Sequence, residues 1–278
     1  MKPAPFRYER ARDLDCVLGL LADQNGMAKV VAGGQSIGPM LNLRLVEPQL
    51  VVDISSLAEL TFAECDGKEL VLGACITHAD IEDGRVPDVT RGAMRRVAGG
   101  IAYRAVRNRG TIGGSLSHAD PAADWITALI SLDARVTVRS HAGVRWLPVA
   151  EFIVGALETA LESYEILDTV RVPVMAQTAR WGYVKACRKV GEFAHAIGAV
   201  LIDPETGRAR AVIGAVDAAP ILISDASSLF GGRVGGDFTL RFDAAAADAL
   251  LASAGMSDPV DRHLHVTVLR RAVAEAAQ

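Results

Sequence analysis

The spacing of apolar residues predicts an α/β unit at the start of the chain. Between residues 14 and 21 the apolar positions recur at helical intervals after Asp13, a candidate N-cap, and Gly26 ends the pattern. Short apolar runs at residues 29–32 and 49–54 predict two strands. A helix and two strands joined by short connections are typical of an α/β unit.

The middle of the chain alternates short apolar runs with helical patterns. The runs predict strands at residues 69–74, 136–138, 144–149 and 165–172. Helical patterns occupy residues 94–106 and 124–132, and another helix begins at the sequence Thr77-His78-Ala79-Asp80. This part of the chain is therefore expected to mix strands and helices.

Proline and small residues interrupt the pattern at residues 173–178, which predicts a domain boundary. Beyond it, apolar runs predict three antiparallel strands and two helices: strands 181–186, 194–202 and 209–216, and helices 243–254 and 260–277. The turn Asp203-Pro204-Glu205-Thr206-Gly207 suits the last strand connection. We therefore divide the chain into residues 1–175, with subdomains of about 1–57 and 58–175, and a C-terminal domain of residues 178–278.

Composition excludes several classes of protein. Half of the 278 residues are apolar, 22% are charged and the formal net charge is -4, so nothing indicates binding to nucleic acid or to a membrane surface. No apolar stretch could span a bilayer, and the first residues lack the apolar core of a signal peptide. The four cysteines lie far apart, which argues against zinc or iron–sulfur ligation. We therefore expect a cytoplasmic globular protein with reduced, mostly buried thiols.

Two short glycine-containing loops carry most of the chemical information. The first loop consists of Ala32, Gly33, Gly34, Gln35 and Ser36, and the second loop consists of Thr111, Ile112, Gly113, Gly114 and Ser115. Glycine lets a backbone approach a ligand closely, and successive N–H groups in such a turn form a concave nest for an anionic oxygen. Two nests from distant parts of one chain can close on a pyrophosphate. The pattern therefore favours a dinucleotide held by dipoles and hydroxyls.

The first loop also has a simpler interpretation. It follows a predicted strand, and Gly-Gly pairs are common in ordinary turns. Its spacing is not the G-x-G-x-x-G of a Rossmann fold, and no Gly-Lys-Ser/Thr follows as in a P-loop. On the residues alone, a ligand role and a purely structural role are both open.

The second loop belongs to a longer string, from Val106 to Asp124, which ends in His-Ala-Asp-Pro-Ala-Ala-Asp. Together with the Ala-Gly-Gly-Gln-Ser of the first loop, this string resembles the FAD-binding medium subunit of the molybdenum hydroxylase family, of the carbon monoxide dehydrogenase, quinoline oxidoreductase and xanthine dehydrogenase flavoprotein type. The likeness extends over most of the chain. The spacing of the two motifs and the overall length also fit a free-standing medium subunit.

The resemblance implies an α+β fold, with a two-subdomain FAD-binding fold of the PCMH/vanillyl-alcohol-oxidase type followed by a small C-terminal domain with a three-stranded antiparallel sheet and helices. It implies that both FAD-binding subdomains are α/β units. It implies FAD as the cofactor, with both loops on its pyrophosphate. It puts Asp124 near the adenosine ribose and the backbone of Leu167 near the cofactor. Asp124 is also a candidate N-cap for the helix that follows, and Leu167 a candidate core residue.

Three further features of the resemblance have two interpretations each. Lys185 tunes the flavin potential as a nearby cation, or belongs to a solvated basic strand end. Phe193 shields one flavin face, or is an ordinary core aromatic. The cluster of Arg104, Arg107 and Arg109 meets a partner or the cofactor phosphates, or forms local salt bridges on a helix face.

The chain shows no nucleophile–base pair, carboxylate dyad or metal cluster, so we assign it no catalytic residue and no metal ligand. The resemblance implies a dimer of heterotrimers, with a large molybdenum–pterin subunit and a small subunit carrying two [2Fe–2S] clusters. Electrons would pass from the clusters to FAD in this chain and on to an external acceptor. Two alternatives are open: a self-sufficient flavin dehydrogenase or oxidase, and an assembly subunit without a cofactor.

Overall fold

A three-stranded parallel sheet forms the first part of the fold in a computed structural model, which describes residues 2–23, 26–232, 234 and 242–277. The strand order is β1-β3-β2. The elements of this unit are β1 (Arg7–Arg10), α1 (Leu14–Asp23), β2 (Ala28–Val31), α2 (Ile37–Asn42) and β3 (Leu50–Asp53).

The first unit confirms the predicted helix and both predicted strands. β3 lies at the centre of the sheet with all four residues buried, and α1 packs Val17, Leu18 and Leu21 into the core. β1 was not predicted, because its sequence Arg-Tyr-Glu-Arg has no apolar alternation and all four residues are exposed. It nevertheless pairs with β3 as a parallel edge strand.

The second unit is built on a five-stranded sheet of order β4-β5-β10-β6-β7. Every strand pair in it is antiparallel, so the expectation of an α/β unit is wrong here. Its elements are β4 (Ala63–Cys65), β5 (Glu69–Gly73), α3 (His78–Glu82), α4 (Ala93–Gly99), α5 (Arg104–Arg107), α6 (Ile112–His118), α7 (Asp124–Ser131), β6 (Arg135–Ser140), β7 (Gly143–Pro148), α8 (Val149–Phe152), β8 (Ile153–Gly155), β9 (Glu158–Thr159) and β10 (Ile166–Pro173), with a short 3₁₀ turn at Ala58–Leu60 before them.

Two local predictions in the second unit are wrong. The helix expected at residues 94–106 is broken into α4 and α5 after the Gly99-Gly100 pair, and Ala102 between them has a φ of 41°. The second loop is not an irregular turn, because its last four residues form the start of α6. Two adjacent glycines disfavour a helix by propensity, which concealed this element in the sequence.

The C-terminal part of the chain holds a four-stranded antiparallel sheet, not the expected three-stranded one. The additional strand has three residues and is too short to show a periodicity. The turn at residues 203–207 connects the second and third strands as predicted. The elements are β11 (Arg180–Ala186), β12 (Ala196–Asp203), β13 (Arg208–Gly214), β14 (Ile221–Ile223), a 3₁₀ turn (Ser227–Phe230), α9 (Ala244–Ser253) and α10 (Pro259–Ala276).

Helix α7 connects the second unit to the C-terminal sheet. Every residue of α7 and of β12 is buried. Along β12, Ile197 and Ala199 join the core that contains α7, while Val200 and Ile202 join the core that contains α10. Each of the isoleucine and valine side chains contributes roughly 1.5–3 kcal/mol when fully buried. The sheet is therefore held between two helices.

Three expectations about chemistry can be compared with the fold. Within the described residues, no helix is long and apolar enough to cross a membrane, and no group of side chains could hold a metal ion. All four cysteines are free thiols, but only Cys75 is buried and Cys65 is exposed. The expectation of mostly buried thiols is therefore wrong.

Candidate functional site

A cleft of about 760 Å³ is lined by both loops. Its remaining walls come from the first unit, from the second unit and from residues 191–193. Asp124 and Leu167, which the sequence had selected, also line it. The fold thus brings residues from four distant parts of the chain to one concave surface.

The first loop presents free backbone donors. Within the described residues, the N–H groups of residues 33–37 donate to no protein acceptor. The Gln35 amide is turned back onto the loop and donates to Gly33 O at 3.0 Å, while Ser36 precedes α2 without capping it. Successive unpaired N–H groups at the start of a helix form an anion-binding concavity. The first loop therefore has free donors of the kind that an anion nest requires.

The second loop uses its backbone donors differently. Thr111 is the N-cap of α6, and its Oγ1 accepts from the N–H of Gly114 at 3.0 Å. The N–H groups of Ile112 and Gly113 donate at 3.0 Å to carbonyls of residues 76 and 74, and that of Ser115 donates to the Thr111 carbonyl. The expectation of a second nest with free N–H groups is therefore wrong. What this loop offers the cleft is the positive end of a helix and its hydroxyl groups.

The two loops meet backbone to backbone. A Cβ added at Gly33 would lie 1.9 Å from the carbonyl oxygen of Arg109 and 2.9 Å from Gly110 Cα. The Arg109 Nε also donates to Gly33 O at 3.4 Å. Only glycine permits this approach at residue 33, so the loops form one continuous wall of the cleft.

Asp124 lies inside a buried polar network. Its Oδ1 accepts from the Tyr183 hydroxyl at 2.7 Å and its Oδ2 from Lys185 Nζ at 2.9 Å. Burial raises the pKa of the Asp124 carboxyl, and the Lys185 charge opposes that shift. The alternative interpretation of Asp124 as an N-cap is wrong, since Ala123 occupies the N-cap position and Asp124 is the first helical residue.

Lys185 lies behind Asp124. Its side chain is only 10% exposed, and Nζ also donates to Gly100 O at 3.3 Å. The interpretation as a solvated strand end is therefore wrong for this lysine. Phe193 is 67% exposed and lines the cleft, so it is not the core aromatic that its isolated position favoured.

The three clustered arginines form ion pairs or hydrogen bonds with other residues of this chain. Arg104 pairs with Glu82 and Asp83, and Arg107 pairs with Glu82 in a bidentate contact. The Arg107 guanidinium lowers the pKa of the Glu82 carboxyl. These contacts confirm the local salt bridges for two of the three residues, while Arg109 contacts the first loop.

Sequence reasoning missed His78, which lies beside the second loop and lines the cleft. Its backbone N–H donates to Gly110 O at 2.9 Å, and its Nδ1 accepts from Trp125 Nε1 at 3.1 Å. That bond assigns the ring proton of neutral His78 to Nε2. Burial, with a smaller contribution from the Arg107 charge, lowers the pKa of His78 to about 4. The available signal was the capping box of Thr77 and Asp80, which fixes the start of α3.

The comparisons with known proteins identify the family of the chain. Residues 4–175 match the family described as the FAD binding domain in molybdopterin dehydrogenase. The chain belongs to this family. Its cofactor is accordingly FAD, and it is an oxidoreductase subunit.

Similar proteins cover most of the chain. It is 34% identical to the caffeine dehydrogenase subunit beta of Pseudomonas sp. (strain CBB1), over 80% of this chain and 76% of that protein. It is 32% identical to the carbon monoxide dehydrogenase medium chain of Hydrogenophaga pseudoflava, over 91% of this chain and 88% of that protein. Among solved structures, quinoline 2-oxidoreductase from Pseudomonas putida 86 matches with a TM-score of 0.85 and 31% identity, over 100% of this chain and 99% of that one.

Proposed function

We propose that this chain is the electron-transfer subunit of a heterotrimeric molybdenum-containing hydroxylase or dehydrogenase. In this proposal a small partner with [2Fe–2S] clusters delivers electrons to FAD in the cleft, and an external acceptor removes them. The substrate is oxidised on a large partner with a molybdenum–pterin cofactor. The observation that carries the proposal is the run of unpaired N–H groups at residues 33–37, at the wall of a cleft in a member of this FAD-binding family.

Each part of the cleft has a task in this proposal. The first loop binds the pyrophosphate through its N–H groups, and the second loop supports it with the end of α6 and the Thr111 and Ser115 hydroxyls. Asp124 accepts from the ribose, and the Leu167 backbone contacts the cofactor. FAD supplies the ability to accept electrons singly and to release two, while the chain supplies position and electrostatics.

Lys185 acts on the cofactor through Asp124. The pair is buried, so the Lys185 charge is largely compensated by the carboxylate instead of acting as a free cation. Its role is therefore to hold the Asp124 carboxylate in place for the ribose. A Lys185→Met substitution leaves that carboxylate with the Tyr183 hydroxyl as its remaining side-chain partner.

The assembly and the substrate are part of the same proposal. We infer a dimer of heterotrimers in the cytoplasm, by analogy with the medium chain and subunit named among the relatives. Caffeine dehydrogenase and quinoline 2-oxidoreductase are named for aromatic N-heterocycles. These names favour an N-heterocycle as the substrate of the complex.

The test begins with the absorption spectrum of the purified chain and identification of the flavin that heat releases. We expect flavin bands and FAD in about a one-to-one ratio, because the cleft has one nest. The chain is then combined with candidate molybdenum and iron–sulfur subunits, and flavin reduction is followed on addition of substrate. A chain that binds no FAD, alone or with partners, contradicts the site; FAD reduced by substrate without partners supports the self-sufficient enzyme instead.

A further inference from the structure

A short turn between α4 and α5 forms part of the cleft wall. Ile101 and Ala102 in this turn both line the cleft. Ala102 has a φ of 41°. This lies in the left-handed region of backbone conformation, which residues other than glycine and asparagine rarely adopt. Such a conformation persists only when its surroundings stabilise it. The source of that stabilisation is visible in the contacts of the turn.

Two cations hold three successive carbonyl groups of this turn. Arg107 Nη1 donates to Ile101 O at 2.9 Å and to Ala102 O at 3.0 Å. Lys185 Nζ donates to Gly100 O at 3.3 Å. Hydrogen bonds from a charged donor are stronger than neutral ones, and each carbonyl held in this way fixes one peptide plane.

Arg107 is itself fixed in orientation. Its Nε and Nη2 donate to the two carboxylate oxygens of Glu82 at 2.8 and 3.0 Å, and its side chain is only 13% exposed. The planar guanidinium therefore bridges α3 and the turn with donors on two edges. A lysine has a single ammonium group and cannot reproduce both contacts.

The turn is also where the C-terminal domain reaches the cleft. Ile101 forms an isolated parallel bridge with Gly191. A Cβ at Gly191 would lie 2.7 Å from Ala102 O, so the segment of residues 191–193 packs directly on the turn. Glu192 and Phe193, which follow, line the cleft. A shift of the turn therefore moves two walls of the cleft together.

We propose that Arg107 is a positioning residue of the FAD cleft. It holds the turn of residues 100–102 in its left-handed conformation, and through the turn it holds residues 191–193 against the cleft. Arg107 does not line the cleft, so its action on the cofactor is indirect. The inference rests on the proposed function in one respect, which is that FAD occupies this cleft.

The experiment compares Arg107→Met with Arg104→Met in the full chain. Both arginines pair with Glu82, but Arg104 donates to no carbonyl of the turn. We expect Arg107→Met to raise the Kd for FAD about tenfold and Arg104→Met to leave it within about twofold. The visible circular dichroism of the bound flavin at saturating FAD should change in the first variant only. Equal effects of the two variants on Kd and on the flavin signal would overturn the proposal.

A second substitution tests the role of the strained residue. Ala102→Gly removes the steric cost of the left-handed conformation. Arg107→Met should therefore raise the FAD Kd less in the Ala102→Gly background than in the unsubstituted chain, by at least about half on a logarithmic scale. No such reduction, with both single variants folded by far-ultraviolet circular dichroism, would contradict this role. Should Arg107→Met fail to fold, Arg107→Lys replaces it, with a smaller loss and the same reduction expected.

A failure of this inference is distinguishable from a failure of the proposed function. If the unsubstituted chain and its complex bind no FAD, the cleft assignment itself fails. If the unsubstituted chain binds FAD and Arg107→Met binds it with the same Kd and the same flavin signal, only the role of Arg107 fails.

Discussion

The first and second loops share a Gly-Gly pair and a hydroxyl residue, yet the structure uses them in opposite ways. At the first loop the N–H groups of residues 33–37 have no acceptor in the described part of the chain. At the second loop the N–H groups of residues 112–115 are all bonded within the protein. A glycine pair alone therefore does not identify a ligand nest, because the neighbouring backbone decides whether its donors are available.

The difference follows from the position of each loop relative to the neighbouring sheet. The first loop continues β2 beyond the sheet and reaches α2 without a strand beside it. The second loop lies against the end of β5, where a Cβ at Gly113 would come within 2.6 Å of Ala74 O. We therefore expect changes in the first loop to act mainly on FAD binding, and changes in the second loop to act mainly on stability.

The largest effect is expected for Gly33→Ala. The added Cβ would overlap the Arg109 carbonyl oxygen at 1.9 Å, so the first loop must move away from the second and the nest must open. We expect the affinity for FAD to fall about 1,000-fold, equivalent to about 4 kcal/mol. Fluorescence titration of the apoprotein with FAD measures it.

Gly38→Ala is the matched control for this change. Gly38 lies in α2 just after the first loop, and nothing would lie within 4 Å of its Cβ. We expect its FAD affinity to match that of the unsubstituted chain. If Gly33→Ala kept its affinity, the contact between the loops would not shape the site.

The next largest effect concerns pH, because the buried His78 lies beside the second loop, where its backbone N–H donates to the Gly110 carbonyl. The pKa of His78 falls from 6.5 to about 4 on folding. Between these values the unfolded chain binds the additional proton, so the free energy of unfolding falls as the pH decreases through this range. From this residue alone, we expect the free energy of unfolding to fall by roughly 3 kcal/mol between pH 7 and pH 4. Urea unfolding at a series of pH values measures it.

His78→Asn is the control for the pH effect. Asparagine does not titrate, and its carbonyl can still accept from Trp125 Nε1. We expect the variant to lose less free energy of unfolding between pH 7 and pH 4 than the unsubstituted chain does. If the free energy of unfolding fell equally with pH in both proteins, groups other than His78 would cause the acid sensitivity.

A smaller effect, on stability, is expected for Gly113→Ala. Its Cβ would lie 2.5 Å from Ala74 Cβ, so α6 must shift from β5. Overpacking of this kind costs about 2 kcal/mol in the free energy of unfolding of the apoprotein. Gly19→Ala in α1 is the control, since its Cβ would contact nothing within 4 Å and should stabilise the helix. If Gly113→Ala left the free energy of unfolding unchanged, α6 would be free to move away from β5 without cost.

The sequence could predict the elements with regular patterns. The helix after Asp13, the strands around residues 30 and 52 and the turn at residues 203–207 were all predicted from local periodicity and turn chemistry, and the structure confirms them. The family resemblance, carried by two ordered motifs, was confirmed by the match over residues 4–175. Local signals suffice where the chemistry of a segment and its environment agree.

The remainder depended on contacts between distant segments. The helical start of the second loop is stabilised by backbone bonds to residues 74 and 76, which propensity cannot reveal. The pairing of Asp124 with Lys185 joins positions 61 residues apart, and the exposure of Phe193 depends on how residues 191–193 pack on the turn. The role of His78 could not be predicted for the same reason, because Trp125 is distant in the chain.

The smallest expected effect compares the two hydroxyls that precede the helices. Thr111 caps α6 through its side chain, whereas Ser36 precedes α2 without a side-chain bond to it. Thr111→Val should therefore lower the free energy of unfolding of the apoprotein by about 1 kcal/mol, while Ser36→Ala should leave it within about 0.5 kcal/mol. Urea unfolding of both apoproteins measures the difference. Equal losses would mean that Ser36 stabilises its helix as Thr111 does, and the contrast between a structural second loop and a ligand-binding first loop would then fail at these two hydroxyls.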